Sequence, residues 1–190
     1  MRVALDTNAL IYLLDNRTPR ELQDRLNGLL EEIGRAKGKV VIPTPVLSEY
    51  LVNAGQARTA LLDAFVKDRY VEVAPFDHVA AEECAALHRT AFATGDKRYP
   101  LRRATAWQKV KVDRQIVAIA KVRGTRIVAD DDDVRAIATA ANFPVQKVAS
   151  LPLPEWAKQL YIVDVPPVQL SAREHLGGGR PATAADESAR

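Results

Sequence analysis

Short β-branched runs that alternate with segments of helical period predict an α/β fold, with parallel strands, right-handed crossovers and helices on both faces of the sheet. Three observations carry this. The apolar run Val3 to Leu5 stops at Asp6-Thr7-Asn8 and gives way to Ala9, Leu10, Ile11, Leu13 and Leu14, a buried strand feeding directly into a helix. The same change recurs where Lys39 to Ile42 meets Pro43-Thr44-Pro45, after which Val46, Leu47, Glu49, Tyr50 and Leu51 read as a helix. Near the other end the unit repeats twice, as the helix Val112 to Arg123 with the strand Arg126 to Ala129, then the helix Val134 to Ala141 with the strand Val145 to Val148.

The remaining elements follow in order. Thr7 and Asn8 can cap the first helix while holding the Asp6 carboxylate. Thr18-Pro-Arg-Glu21 has the form of a capping box that opens a helix from Pro19 to about Ala36, closed by Gly38. Ala57 to Lys67 is helical by the spacing of Leu61, Leu62, Phe65 and Val66, Tyr70 to Ala74 alternates as a strand, and Asp77 caps a helix that runs to about Ala93. Two stretches interrupt the pattern. Gly95 to Arg114 carries seven cations against two acids, a local charge of +5 in a chain whose whole excess is +3. Beyond Ser150, Pro152, Pro154, Pro166, Pro167, Pro181 and the triplet Gly177 to Gly179 break any periodicity. The expected organisation is one α/β domain over residues 1–149 with a basic insertion at about 95–111. A Pro/Gly-rich extension over 150–190 follows, whose Trp156, Leu160, Tyr161, Ile162 and Val163 dock on the core and which is disordered from about Ser171.

Composition narrows the function classes. At 190 residues and 47% hydrophobic content the chain forms a real core on its own. A pI near 9.1 permits an anionic partner. A lone cysteine, Cys84 among alanines and Leu87, excludes an intrachain disulfide and points to a reducing compartment. No stretch approaches the roughly 20 apolar residues of a membrane span, so no membrane association and a cytoplasmic location are expected. His78, His88 and His175 show no ligand spacing, which disfavours zinc.

Four acids share a setting: Asp6 after the first strand, Glu49 in the helix after the second, Asp113 at a helix start, and Asp131 after the strand Arg126 to Ala129. In a doubly wound sheet the topology places them near one rim. Two carboxylates about 4 Å apart repel by roughly 4 kcal/mol at an effective dielectric near 20, so such a cluster calls for cations. All-oxygen ligation selects Mg²⁺ or Mn²⁺. With no nucleophilic serine or cysteine arrangement and no Gly-rich phosphate loop, the site suits water activated for attack on a phosphodiester. Each acid also has a plainer reading: Asp6-Thr7-Asn8 as a helix cap, Glu49 on a solvated helix face, Asp113 as a cap, Asp130 to Asp133 as a charged turn.

The motifs Val3-Ala-Leu-Asp6-Thr-Asn8, Pro43-Thr-Pro-Val-Leu-Ser-Glu49-Tyr50, Val112-Asp113-Arg-Gln-Ile-Val-Ala-Ile-Ala120 and Arg126-Ile-Val-Ala-Asp-Asp131-Asp-Asp133-Val134 resemble those of the PIN-domain ribonucleases, most of all the VapC-type toxins of bacterial toxin–antitoxin pairs. The resemblance covers about Met1 to Val148. It implies a three-layer α/β/α fold around five parallel strands, Mg²⁺ or Mn²⁺ dependence, endonuclease cleavage of RNA, homodimerisation and an antitoxin partner. Asp6, Glu49, Asp113 and Asp131 match the family's metal-binding acids, Asp133 a frequent fifth acid, and Thr7 and Asn8 the polar residues beside the first. Ala129 stands where the family often has threonine or serine, Val134 where it often has phenylalanine, and the run Asp130 to Asp133 admits two registers one residue apart. A housekeeping PIN nuclease of RNA maturation and a non-catalytic nucleic-acid-binding module are the alternatives.

The basic segment runs straight into Asp113, so its cations are expected beside the acidic cleft. Lys97, Arg98, Arg102 and Arg103 would then position the RNA backbone, with Trp107 stacking on a splayed base. The plainer reading is a solvated loop with Trp107 packed on the core.

Overall fold

The computed structural model describes residues 1–102 and 104–162. Arg103 and the stretch expected to be disordered from Ser171 lie outside the described residues. Five strands, β1 (Arg2–Leu5), β2 (Lys39–Pro43), β3 (Val71–Ala74), β4 (Arg126–Val128) and β5 (Val145–Gln146), form one parallel sheet in the order β3-β2-β1-β4-β5. Around them lie α1 (Thr7–Leu14), α2 (Arg20–Arg35), α3 (Thr44–Asn53), α4 (Gln56–Val66), α5 (His78–Ala93), α6 (Trp107–Val122), α7 (Asp132–Ala140) and α8 (Glu155–Ile162), giving the expected three-layer arrangement. Strands covered on both faces read as continuous apolar runs. Accordingly Val3, Ala4, Leu5, Val40, Val41, Ile42, Ile127 and Val128 are all buried.

The strand order places the site. From β1 the chain moves outward through β2 to β3, then returns to the other side of β1 for β4 and β5. The direction reverses between β1 and β4, and a crevice opens beyond the carboxyl ends of strands at such a point. Leu5 pairs with Val128, and the Asp6 amide donates to the Val128 carbonyl at 3.1 Å. Asp6 and the residues after β4 are thereby brought side by side. At the opposite end of β1, Gly38 is required by close approach, since a Cβ there would lie 2.1 Å from the Met1 carbonyl oxygen.

Several elements differ from expectation. Helix α6 begins at Trp107, five residues before Val112, because the buried face already includes Val110 and continues through Asp113, Arg114 and Val117. Lysines on the exposed positions hid that period. Asp113 therefore sits well inside a helix, neither at its start nor as its cap. The capping box at Thr18 does not form: Pro19 is the N-cap of α2 with no side-chain cap, and Glu21 instead accepts from Arg25 at 2.6 Å. At the first helix Asp6 itself is the cap, in place of Thr7 or Asn8. Asp77 caps α5 as expected, accepting from the Ala80 amide at 3.0 Å. The last strand ends at Gln146 and passes into a 3-10 turn, Val148–Ser150.

Beyond that turn the chain packs on α2. Leu151 and Ala157 are buried. Arg25 donates to the Leu151 carbonyl, Tyr161 donates to Asp24 at 2.9 Å, and Trp156 donates to Glu31 at 3.0 Å. Gly28 leaves room for Pro154, whose ring atoms would lie 3.0–3.2 Å from a Cβ at that position.

Candidate metal centre

The crevice beyond β1 and β4 contains a cavity of about 400 Å³ lined by Asp6, Thr7, Asn8, Glu49, Lys109, Asp113 and Asp131. Each acid arrives from a different element. Asp6 follows β1 and caps α1, Glu49 projects from α3, Asp113 from the middle of α6, and Asp131 caps α7.

Asp6 is 1% exposed, and its carboxylate accepts from three backbone donors. Oδ1 accepts from the Ala9 amide at 2.7 Å, while Oδ2 accepts from the amides of Asp130 at 3.0 Å and Asp131 at 3.1 Å. The capping reading of Asp6 is thus correct as far as it goes, but a cap needs only the first of these bonds. The other two tie the end of β1 to the β4–α7 loop across 124 residues of sequence. Burial pushes the Asp6 carboxyl up to about 6, against the pull of the three amides and with a smaller push from Asp131.

Asp113, Asp131 and Asp133 form the tightest group: one carboxylate oxygen from each lies within 4.8 Å of the others. Asp113 is 4% exposed. Burial pushes it up to about 6, although Lys109 pulls the other way. Asp131 is held below the usual carboxylate range: burial opposes this, but hydrogen bonds from Lys109 and from the Val134 and Asp133 amides prevail. The members of the acidic run differ in what they touch. Asp131 and Asp133 face the cluster, Asp130 accepts from the Val148 amide at 3.0 Å, and the exposed Asp132 pairs with Arg135 at 2.5 Å. Glu49 and Asp6 line the cavity but lie outside this tightest group, and Glu49 accepts a hydrogen bond from the Thr7 hydroxyl. Asn8 lines the same wall.

One residue of the site escaped the sequence reading. The Lys109 ammonium donates to Asp113 at 2.9 Å and Asp131 at 3.0 Å, and pairs with Asp133 at 3.1 Å. Burial disfavours its charge, yet the three carboxylates more than offset this and hold it above the ordinary lysine range. The i,i+4 spacing of Lys109 and Asp113 was visible in the chain, but only within α6 does it put both on one face.

The rest of the basic segment is engaged differently. Lys97 sits 5.3 Å above the Trp107 ring, and that ring meets His88 edge-on at 5.5 Å and packs against the core. Arg98 donates to the Thr105 carbonyl at 2.8 Å, whereas Arg102 is exposed. Arg114, only 1% exposed, fastens the loop by donating to the carbonyls of Lys97 at 2.9 Å and Tyr99 at 2.8 Å and meeting His88 Nδ1 at 2.6 Å. Tyr99 and Pro100 in turn border a hollow with Asp132 and Arg135 of α7, next to the Asp131 cap.

Hard oxygen donors converging on one point fit Mg²⁺ or Mn²⁺. The amine now on them shows that the point accepts a cation. Among the described residues no other group of three metal-ligating side chains converges in this way.

The comparisons bear on the fold and the family. The fold resembles crystal structures of VapBC2 from Rickettsia felis bound to a promoter DNA fragment (16% identity, TM-score 0.56, covering 77% of this chain and 98% of that one). It also resembles FitAcB from Neisseria gonorrhoeae (18%, 0.55, 78% and 99%) and DNA-bound VapBC from Salmonella typhimurium (19%, 0.54, 78% and 98%). A sequence search of curated proteins finds no match. The PIN domain family model matches residues 3–140, a span that holds all five acids of the crevice, and the chain belongs to the PIN domain family.

Proposed function

We propose that the protein is a Mg²⁺- or Mn²⁺-dependent RNA endonuclease and the toxin of a toxin–antitoxin pair. The observation that carries the nuclease reading is the convergence of Asp113, Asp131 and Asp133 at the sheet's switch point, with Asp6 and Glu49 lining the same cavity. These five acids would hold the divalent ion. When bound, Mg²⁺ or Mn²⁺ supplies positive charge against a phosphodiester and an activated water. The protein's part is to fix the ligands beforehand. Asp6 is locked by three amides, Thr7 orients Glu49, and the amides of Asp133 and Val134 hold Asp131 at the head of α7. Lys97, Arg98, Arg102 and Arg103 are assigned to the RNA backbone, and Trp107 to a base, on their place in the sequence just ahead of Asp113.

The toxin assignment is supported by the four ordered motifs and by the likeness to VapBC and FitAcB structures. An antitoxin could silence such a site by placing an arginine among the acids, where a guanidinium matches carboxylate geometry. The test incubates purified protein with a panel of structured RNAs in Mg²⁺, Mn²⁺ or EDTA. Metal-dependent internal cleavage is expected, and its absence with every RNA and both metals would refute the enzyme. Affinity purification at native expression levels should recover a small partner protein. If it does not, the housekeeping nuclease becomes the better reading.

A further inference from the structure

We propose that Lys109 is a tethered cation that occupies the metal seat of the free enzyme and must be displaced for a divalent ion to enter. The proposal rests on the metal-centre reading above and goes beyond it by naming what the ion competes with.

Three facts point this way. First, the amine is central to the cluster: one ammonium reaches all three acids of the tightest group at 2.9–3.1 Å, and these are the acids whose oxygens lie within 4.8 Å of one another. An ammonium and a divalent ion cannot share that space. Second, the tether is short and directed. Lys109 stands one turn before Asp113 on α6, so the helix delivers the amine to the cluster while the four-carbon stem leaves it free to swing. Third, an exit exists, because the side chain is 41% exposed although its main partner, Asp113, is 5% exposed. The amine has a route to water, whereas the carboxylate is nearly covered and faces the cavity. In the free enzyme Lys109 therefore offsets the repulsion among the acids and keeps them assembled. Its cost is a weaker apparent metal affinity, since a ligand that binds only the vacated form loses affinity in proportion to the fraction vacated.

The test measures Mn²⁺ affinity by calorimetry for the parent, Lys109→Gln and Lys109→Arg, with melting curves in EDTA. If the closed form makes up nine-tenths or more of the free protein, Lys109→Gln binds Mn²⁺ about tenfold more tightly or better. The same variant melts below the parent in EDTA and recovers on adding Mn²⁺. Lys109→Arg, which keeps the cation, stays close to the parent. A second readout needs no variant: acylation of Lys109, followed by mass spectrometry, should rise as Mg²⁺ is titrated into the parent. Equal or weaker Mn²⁺ binding by Lys109→Gln, or Lys109 acylation unmoved by saturating Mg²⁺, overturns the proposal while leaving the metal centre intact. Absence of Mn²⁺ binding from the parent and both variants overturns the metal centre itself, and the proposal with it.

Discussion

Replacing Asp113 by Asn should abolish cleavage and, in the absence of metal, stabilise the protein. Burial holds the Asp113 carboxyl at about 6 in place of the ordinary 3.8. At about 1.4 kcal/mol per pH unit, that gap makes the ionised group cost the fold about 3 kcal/mol at pH 7.5. Asn keeps an acceptor for the Lys109 amine, and that amine keeps Asp131 and Asp133. For a domain of this size each kcal/mol moves Tm by roughly 2–4 °C, so the variant should melt up to about 6–12 °C higher in EDTA. The sign of the pH dependence follows from the direction of the shift. A carboxyl with a raised folded pKa destabilises fully above about 6, and the penalty fades as pH falls toward 3.8. Asp6 is shifted the same way. Between pH 7.5 and 5 the parent should therefore gain stability in EDTA, and Asp113→Asn should gain less. The assay is differential scanning calorimetry in EDTA at both pH values. A variant melting at or below the parent at pH 7.5, or one with the parent's full pH response, would refute the reasoning.

Replacing Lys97, Arg98, Arg102 and Arg103 together by alanine should weaken binding to all RNAs alike. It should also flatten the dependence of log K on log salt by up to about 0.7 per lost contact with a single strand, measured by fluorescence anisotropy across a salt series. Leu151→Ala, at a fully buried contact of the chain beyond β5 with α2, should cost about 2–5 kcal/mol in urea unfolding. Arg114→Met removes the donor that holds the Lys97 and Tyr99 carbonyls, so backbone amides of residues 96–101 should exchange hydrogen faster while those of β1 and β4 stay protected.

Much of this architecture was legible because a parallel sheet writes its strands as apolar runs. The acids after Leu5 and Val128 were legible because polar residues at strand ends stand out against such runs. What was not legible depended on partners distant in sequence. Asp113 read as a helix start because the lysines at 109 and 111 masked Trp107 and Val110, whose burial appears only when α6 packs in the fold. Lys109 counted as one more charge in a basic stretch, because nothing local says that its amine meets Asp131 and Asp133, more than 20 residues on. The capping box at Thr18 fulfilled a sequence pattern, yet Glu21 found a better partner in Arg25 one turn along. The division of contacts within Asp130 to Asp133 needed the Val148 amide to claim Asp130.

The pairing of β1 with β4 also sets a clock on synthesis. Asp6 is made before the other acids of the crevice, and two of the amides that hold its carboxylate belong to Asp130 and Asp131. At about 5–20 residues per second, the 127 positions from Asp6 to Asp133 take about 6–25 s to translate. From the completion of β3 to that of β4 the growing chain has β1, β2 and β3 but no β4 to complete the crevice. A ribosome-bound chain is therefore incapable of gathering the acids until most of the described fold has been made, and chains abandoned between Glu49 and Asp113 carry two acids of the crevice and none of the tightest group.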